Sequence, residues 1–177
     1  TSEIGKRTKS TPYGSVDRPF RVAALALGAG ATFVARSIDT YTNHLKGVLQ
    51  RAHAHKGTAF TQIFQNCNIF NDGAFDDIRE KQGREENLLH LEHGKPLVFG
   101  KNQDRGIRLN GRYEPEVVQL GNGVTEKDVL VHDEQASVAS AMMLSSLSRP
   151  EFPPPVGVIR AVEEPIFDQG VREQLES

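Results

Sequence analysis

A strand–helix–strand pattern between residues 31 and 65 is the feature that most constrains the fold. Residues 31–38 (ATFVARSI) form an apolar run typical of a buried strand, and residues 58–65 (TAFTQIFQ) alternate as a second strand does. The residues between them have apolar side chains at helical spacing, namely Leu45, Val48, Leu49 and Ala52. This unit predicts two parallel strands with a right-handed crossover, and therefore an α/β fold.

Further elements follow from local patterns on either side of this unit. A short apolar helix after Pro19 is expected to end at Gly28 and Gly30, and Asp39-Thr40 is expected to cap the helix of the central unit. Residues 133–148 predict a helix capped by Asp133, and residues 166–177 predict a final helix. Further strands are predicted at residues 97–100, 106–109, 117–120, 128–133 and 157–162.

Length, charge and cysteine content exclude several classes of protein. The 177 residues suit one domain with an appendage, and a formal net charge of −2 lacks the basic excess typical of nucleic-acid binding. No apolar run is long enough to span a bilayer, and a single cysteine fits a reducing, cytoplasmic setting. The first 20 residues are polar and lack an initiator Met, so we expect the chain to be part of a longer one.

The one cysteine lies in QNCNIFND, directly after the second predicted strand. Open α/β sheets bind ligands beyond the carboxyl ends of their strands, which favours a functional role for Cys67 as a ligand or nucleophile. A buried free cysteine that only fills space is the alternative. The residues alone do not decide between the two interpretations.

Other candidate sites have simpler structural alternatives. The segment GAGATF precedes a strand rather than following one, so it indicates a helix end rather than a nucleotide loop. A zinc site at His53/His55, or at Cys67, His90 and His93, lacks a complete ligand set. The remaining alternatives are paired carboxylates among Asp76, Asp77, Glu80, Glu85 and Glu86, a His132–Asp133 catalytic pair, and a polar pocket lined by residues 10–15.

Taken together, several segments resemble the β subunit of bacterial 2-oxoacid:ferredoxin oxidoreductases, especially the 2-oxoglutarate form. The most specific are STPYGS and QNCNIFND. TSEIGKRTK, ALALGAGATFVAR, LEHGKPLVFG, LVHDE and GVIRAVEEP extend the resemblance over nearly the whole chain. It implies part of a doubly wound thiamine-diphosphate-binding fold in residues 1–66, followed by a C-terminal α/β extension of the subunit in residues 67–177.

The resemblance also implies an activity, its cofactors and its partners. The family binds thiamine diphosphate, Mg²⁺ and a four-iron–four-sulfur cluster, and an α subunit completes the enzyme. It oxidatively decarboxylates a 2-oxoacid such as 2-oxoglutarate or pyruvate, forms an acyl-coenzyme A and passes electrons to ferredoxin. We therefore expect a cytoplasmic enzyme subunit that binds neither nucleic acid nor membrane.

Only some of the family's site residues have counterparts in this chain. Cys67 matches the fourth cysteine of the iron–sulfur cluster, and Thr11, Pro12, Tyr13 and Gly14 match a loop near thiamine. The Gly-Asp-Gly motif that holds Mg²⁺ and the diphosphate, and the other three cluster cysteines, are not in this sequence. The 177 residues are therefore expected to be inactive alone, and no catalytic residue is assigned.

The sequence leaves two further points open. The side chains of Asn66, Asn68 and Asn71 either donate hydrogen bonds to cluster sulfurs or cap the end of the strand. The chain itself is either a portion of this oxidoreductase or a non-catalytic binding or assembly module that keeps the fold. A ferredoxin-independent thiamine enzyme is a third alternative.

Overall fold

The computed structural model describes residues 3–177, which contain two β-sheets and helices packed on both faces of the larger one. The strands in this range are β1 (Phe33–Ile38), β2 (Ala59–Phe64), β3 (Leu89–Leu91), β4 (Val98–Phe99), β5 (Arg105–Leu109), β6 (Pro115–Gln119) and β7 (Pro155–Ala161). The α-helices are α1 (Val22–Gly28), α2 (Thr42–Ala54), α3 (Asp76–Arg79), α4 (Lys81–Asn87), α5 (Val138–Ser146) and α6 (Phe167–Glu176). The expected α/β class is confirmed. None of the helices in the described range has the length and apolar character needed to cross a membrane.

The larger sheet has the strand order β2-β1-β7-β3. Strands β1 and β2 are parallel, with Phe33 opposite Ala59, and α2 connects them as the sequence predicts. Strand β7 runs antiparallel to β1 and parallel to β3, so the sheet is mixed. Gly157 of β7 has a φ of +118°, and a side chain there would lie against the carbonyl oxygen of Leu91. Glycine therefore permits the close approach of β7 and β3.

Both faces of the larger sheet are covered, which explains the apolar run of β1. On one face Phe33 and Ala35 pack against Val48 of α2. On the other face Val34 packs in a core to which α1 contributes Leu27 and α5 contributes Leu144. A strand buried on both sides has apolar residues at successive positions rather than at alternate ones.

The second sheet is antiparallel, in the order β4-β5-β6, and Ile107 joins it to the main core. The strand predicted at residues 128–133 is wrong. Leu130 donates its N–H to the carbonyl of Ile107 over 2.8 Å and accepts from the N–H of Leu97 over 2.7 Å, and Pro96–Val131 adds one isolated bridge. The N–H of His132 also donates to the carbonyl of Lys95 over 2.8 Å, so these bonds enclose the single pair Pro96–Val131 and the segment forms a bridge rather than a ladder.

Both predicted helix caps are also wrong. The carboxylate of Asp39 accepts from the N–H of Thr40 and pairs with Arg79 at 3.6 Å, and α2 begins three residues later. Asp133 accepts from the N–H of Gln135, while the Oγ of Ser137 accepts from the N–H of Ser140 and caps α5. In both cases the aspartate forms a local turn before the helix begins.

The larger sheet includes strands from both sides of residue 66, the boundary expected between the two parts of the chain. Strands β1 and β2 precede it, and β3 and β7 follow it. Residues before and after the boundary therefore share one sheet and one core. Thr1 and Ser2, with which the expected first part begins, lie outside the described residues.

Candidate functional site

The two parallel strands β1 and β2 end at the same edge of the sheet, and Cys67 follows β2 there. Ile38, the last residue of β1, lies opposite Phe64, the last residue of β2. Cys67 comes three residues later and is partly exposed. The thiol therefore lies on the side of the sheet where ligands of α/β proteins bind.

Asn66 organises the loop that carries the thiol. Its amide nitrogen donates to side-chain oxygens of Asn68 and Asp72, each over 2.8 Å, and its amide oxygen accepts from the N–H of Gly73 over 2.9 Å. The N–H of Asn71 also donates to the carbonyl of Cys67 over 2.9 Å. The Asn66 amide therefore closes the loop that follows β2.

Main-chain N–H groups of this loop face the sulfur of Cys67. The N–H of Phe70 donates to Sγ over 3.4 Å. Hydrogen bonds from the N–H groups of Phe70, Ile69 and Asn71 lower the pKa of the Cys67 thiol, and the opposing effects of desolvation and of Asp72 are smaller than the sum of these bonds. Hydrogen bonds to the charged form favour the thiolate, and the thiolate is the form that binds metals.

Residues 5–15 form a closed loop that contains the second predicted site. The N–H of Gly5 donates to the carbonyl of Ser15 over 2.7 Å, which joins the two ends of the loop. Gly14 has a φ of +102°, and its N–H donates to the carbonyl of Thr11 over 3.0 Å. Tyr13 at the tip is 96% exposed. Thr11 and Gly14 therefore shape the turn, and Tyr13 is available for contact with another molecule.

Three hydroxyl groups meet inside this loop. The Oγ1 atoms of Thr8 and Thr11 lie 2.8 Å apart, and the Oγ of Ser10 lies 3.1 Å from that of Thr8. The hydroxyl of Thr11 also donates to the carbonyl of Lys6 over 3.3 Å. The loop therefore satisfies part of its own hydrogen-bonding capacity.

The structure brings the two predicted site segments into contact. The Nζ of Lys6 donates to the carbonyl of Asp72 over 3.3 Å, which connects the loop of residues 5–15 to the loop around Cys67. The sequence interpretation did not single out Lys6. No pattern in the sequence indicates this contact, because 66 positions separate the two residues.

The histidines proposed for zinc lie in separate environments. His90 packs edge-on against Tyr41, with ring centres 5.8 Å apart, whereas Nδ1 of His93 lies 3.5 Å from a carboxylate oxygen of Asp133. Nε2 of His55 lies 2.7 Å from the hydroxyl of Thr32. Among residues 3–177 there is no group of three or more His, Cys, Asp or Glu side chains placed to hold a metal ion.

The other catalytic alternatives are also separated. His132 is buried, and its Nε2 lies 2.8 Å from the carbonyl of Val158, while Asp133 contacts His93 instead. The acidic residues of α3 and α4 form ion pairs, Asp77 with Arg149 and Glu86 with Arg105. The two ion pairs connect different elements of the fold.

Gly30, with a φ of +83°, lies just after α1, as the helix-end interpretation of GAGATF predicts.

A second cluster at the same edge of the sheet was not predicted. Nδ1 of His44 lies 2.8 Å from the hydroxyl of Ser37 near the end of β1, and its ring stacks on that of Tyr41. Burial, and to a smaller extent the charge of His90, lower the pKa of His44 to about 4. His44 is therefore neutral near pH 7. In the sequence, the nearness of Tyr41 and His44 at the start of α2 is the feature that could have indicated this cluster.

Comparison with known proteins agrees with the fold and the segments described above. No model of a known protein family matches the chain. The 2-oxoglutarate oxidoreductase subunit KorB of Mycobacterium tuberculosis is 44% identical over 177 residues, which is 99% of this chain and 47% of that protein. The β subunit of a 2-oxoacid:ferredoxin oxidoreductase of Saccharolobus solfataricus is 38% identical over 72 residues, 41% of this chain and 24% of the relative.

A solved structure shares the fold. The 2-oxoglutarate:ferredoxin oxidoreductase from Magnetococcus marinus, with 2-oxoglutarate, coenzyme A and succinyl-coenzyme A bound, superposes with a TM-score of 0.63. The match covers 100% of this chain and 46% of the other chain, at 21% identity. At this identity the likeness establishes the fold only.

The fold and the sequence relationship define a class of protein, an α/β chain whose sequence is related to subunits of 2-oxoacid oxidoreductases. More narrowly, the chain is homologous to part of the β subunit of 2-oxoacid:ferredoxin oxidoreductases, including those named for 2-oxoglutarate. It spans about half the length of the M. tuberculosis relative.

Proposed function

We propose that the chain is a portion of the β subunit of a 2-oxoglutarate:ferredoxin oxidoreductase. The observation that carries the proposal is the 44% identity to a 2-oxoglutarate oxidoreductase subunit across 99% of the chain. The proposed enzyme converts 2-oxoglutarate and coenzyme A to the acyl-coenzyme A and carbon dioxide, and ferredoxin accepts the electrons. An α subunit completes the enzyme, and the setting is the cytoplasm.

Cys67 is the residue that we assign to an iron–sulfur cluster. The residue fits this group by its chemistry. The thiol is partly exposed, its pKa is lowered, and main-chain N–H groups are directed at its sulfur. Such a thiol is suited to bind iron as a thiolate. The chain offers one thiolate, and a four-iron–four-sulfur cluster takes four, so three further cysteines come from outside these residues. Asn66 holds the loop that presents the sulfur.

The loop with Thr11, Pro12, Tyr13 and Gly14 is assigned to the neighbourhood of thiamine diphosphate. It adjoins the Cys67 loop through Lys6 and Asp72, and exposed Tyr13 offers an aromatic ring to a bound molecule. A bound cluster supplies one-electron transfer, and thiamine diphosphate with Mg²⁺ supplies the carbon chemistry. In this proposal Cys67 would hold the cluster, and the loop with Thr11, Pro12, Tyr13 and Gly14 would line the thiamine site.

The activity test uses the complete β subunit that contains this chain, produced with its α subunit. We expect reduction of ferredoxin that depends on both 2-oxoglutarate and coenzyme A, and a lower kcat/KM with pyruvate. A matched sample of the 177-residue chain alone, supplied with iron, sulfide, thiamine diphosphate and Mg²⁺, is expected to be inactive because it lacks the Gly-Asp-Gly motif.

Three results separate this proposal from its rivals. Absence of 2-oxoacid oxidation in the complete complex would favour a binding or assembly module. Oxidation of 2-oxoglutarate without any transfer to ferredoxin would favour a ferredoxin-independent thiamine enzyme. Activity of the isolated chain would contradict its dependence on the remaining part of the subunit.

A further inference from the structure

The segment that carries Cys67 leaves the sheet after Phe64 and returns to the core at Phe75. Phe64 is the last residue of β2, and its ring stacks on the ring of Phe75 with the ring centres 4.8 Å apart and 17° between the ring planes. Both rings also pack against a buried apolar cluster that includes Ile78. The aromatic pair therefore closes a loop formed by residues 65–74.

An arginine lies over each ring of this aromatic pair. The guanidinium of Arg36 lies 5.3 Å from the centre of the Phe64 ring, and the guanidinium of Arg149 lies 6.0 Å from the centre of the Phe75 ring. The face of an aromatic ring attracts a cation at such distances. Arg36 is buried in β1, whereas Arg149 lies in the connector between α5 and β7. The connector therefore supports the end of the loop at which the chain returns to the core.

Arg149 also holds the backbone beside Phe75 through polar contacts. Its guanidinium donates to the carbonyl of Ala74 over 3.2 Å and forms an ion pair with the carboxylate of Asp77. The planar guanidinium of arginine can donate in two directions and stack on a ring at the same time. These contacts join residues that are 72 and 75 positions apart, so Arg149 acts on the loop through tertiary structure.

A series of main-chain hydrogen bonds connects the end that Arg149 holds to the cysteine. The N–H of Ala74 donates to the carbonyl of Asn71 over 3.4 Å, and the N–H of Asn71 donates to the carbonyl of Cys67 over 2.9 Å. Within this span the N–H of Phe70 donates to the sulfur of Cys67 over 3.4 Å. The direction of the donors at the sulfur therefore depends on where the loop returns to the core.

We propose that Arg149 is a positioning residue for Cys67. By holding Ala74 and Phe75, it fixes the returning end of the loop and keeps the main-chain N–H groups of residues 69–71 directed at the sulfur. Its effect on a cluster rests on the function proposed above for Cys67. Hydrogen bonds to a ligating sulfur stabilise the reduced cluster, which carries more negative charge, so their loss lowers the reduction potential.

The first test uses NMR to follow solvent exchange of the amide hydrogens of residues 69–71 in the metal-free 177-residue chain. Arg149→Gln is expected to raise the exchange rate of the Phe70 amide about fivefold or more, as loss of a partly exposed ion pair and a cation–π contact implies. Arg108→Gln is the matched control and should leave this rate unchanged. Arg108 pairs with Glu116 on the second sheet and is 41% exposed, against 35% for Arg149. Equal rates in Arg149→Gln and the wild type would overturn the proposal.

A second variant, Phe75→Leu, separates loss of positioning from loss of charge. It removes the ring over which Arg149 lies and changes no charge, so it should raise the same exchange rate. Because the two side chains act through one contact, the double variant Arg149→Gln/Phe75→Leu should exchange more slowly than the product of the two single effects predicts. Effects that multiply in full would contradict the proposal. Urea denaturation of each variant verifies that the chain is folded.

The reduction potential of the cluster in the complete α–β complex is the second readout. Arg149→Gln should lower this potential, and Arg149→Lys, which keeps the charge without the planar fork, should give an intermediate value. Arg108→Gln should leave the potential unchanged. If the wild-type complex holds no cluster, the proposed function fails, and the amide exchange of the isolated chain still decides the role of Arg149. If the cluster forms and its potential is the same in Arg149→Gln as in the wild type, only the positioning role fails.

Discussion

The main-chain N–H of Phe70 donates a hydrogen bond to the sulfur of Cys67 over 3.4 Å. With the N–H groups of Ile69 and Asn71, it lowers the pKa of the thiol. The loop therefore stabilises the thiolate of Cys67, the form that binds metals, at the edge of the sheet where the parallel strands β1 and β2 end.

The first prediction concerns the reactivity of this thiol. We expect the rate of alkylation of Cys67 by iodoacetamide, in the metal-free chain, to rise at a lower pH than for an unperturbed cysteine. The reason is that the N–H groups of the loop stabilise the thiolate. Because the chain contains one cysteine, mass spectrometry reports this site alone. A midpoint at or above the ordinary cysteine value would refute the predicted effect.

The second prediction concerns Asn66. Asn66→Ala removes the three hydrogen bonds that close the loop, so the N–H groups lose their fixed direction and the pKa of Cys67 rises. The same alkylation profile measures the change. Asn43→Ala, at an exposed position of α2, is the matched control and should leave the profile unchanged. Equal profiles for both variants would show that Asn66 does not position the thiol.

The third prediction concerns the buried guanidinium of Arg36. It donates to the side-chain oxygen of Gln62 and to the carbonyls of Ser145 and Pro155, over 3.0 to 3.3 Å. Burial lowers its pKa to about 10, so it remains charged at pH 7. Arg36→Met leaves buried carbonyls without donors, and we expect the free energy of unfolding to fall by about 3 kcal/mol.

Urea denaturation measures this loss, with exposed Arg112→Met as the control expected to change stability by about 0.5 kcal/mol or less. If Arg36→Met is as stable as the wild type, the free-energy cost of burying the charge equals the stabilisation that its hydrogen bonds provide.

The fourth prediction concerns pH. Burial lowers the pKa of His44 from about 6.5 to about 4 in the folded state. Between these values the unfolded chain binds more protons than the folded one, so stability present above pH 6.5 is lost as the pH falls towards 4. His44→Gln removes this contribution. Between pH 6.5 and pH 4 we expect the free energy of unfolding of His44→Gln to fall less than that of the wild type. Parallel curves of the free energy of unfolding against pH for the two proteins would contradict the prediction.

Much of the fold follows from the sequence because its strongest signals are local. The apolar run of β1 and the helical spacing of α2 predict parallel pairing with β2. The position of β7 between β1 and β3 is not predictable in this way, because β7 pairs with β1 across more than 100 positions and with β3 across 66 positions. The predicted caps fail because Asp39 and Asp133 serve local turns.

The candidate site was predictable only in part. A single cysteine after a strand identifies the right edge of the sheet, and the resemblance gives Cys67 its expected role. The contact between Lys6 and Asp72 and the clustering of His44 with Tyr41 arise from tertiary structure. The zinc alternative with His90 and His93 gains no support, because His90 packs against Tyr41 and His93 contacts Asp133.

The most direct test of the central claim measures iron in the complete α–β complex with and without Cys67. Cys67→Ser keeps the size of the side chain and removes the thiol. The wild-type complex should contain iron and sulfide and give the electron paramagnetic resonance signal of a reduced four-iron–four-sulfur cluster, and Cys67→Ser should lose or strongly alter that signal while the subunits still assemble. An unchanged iron content and an unchanged signal in Cys67→Ser would contradict the assignment of Cys67 as a cluster ligand.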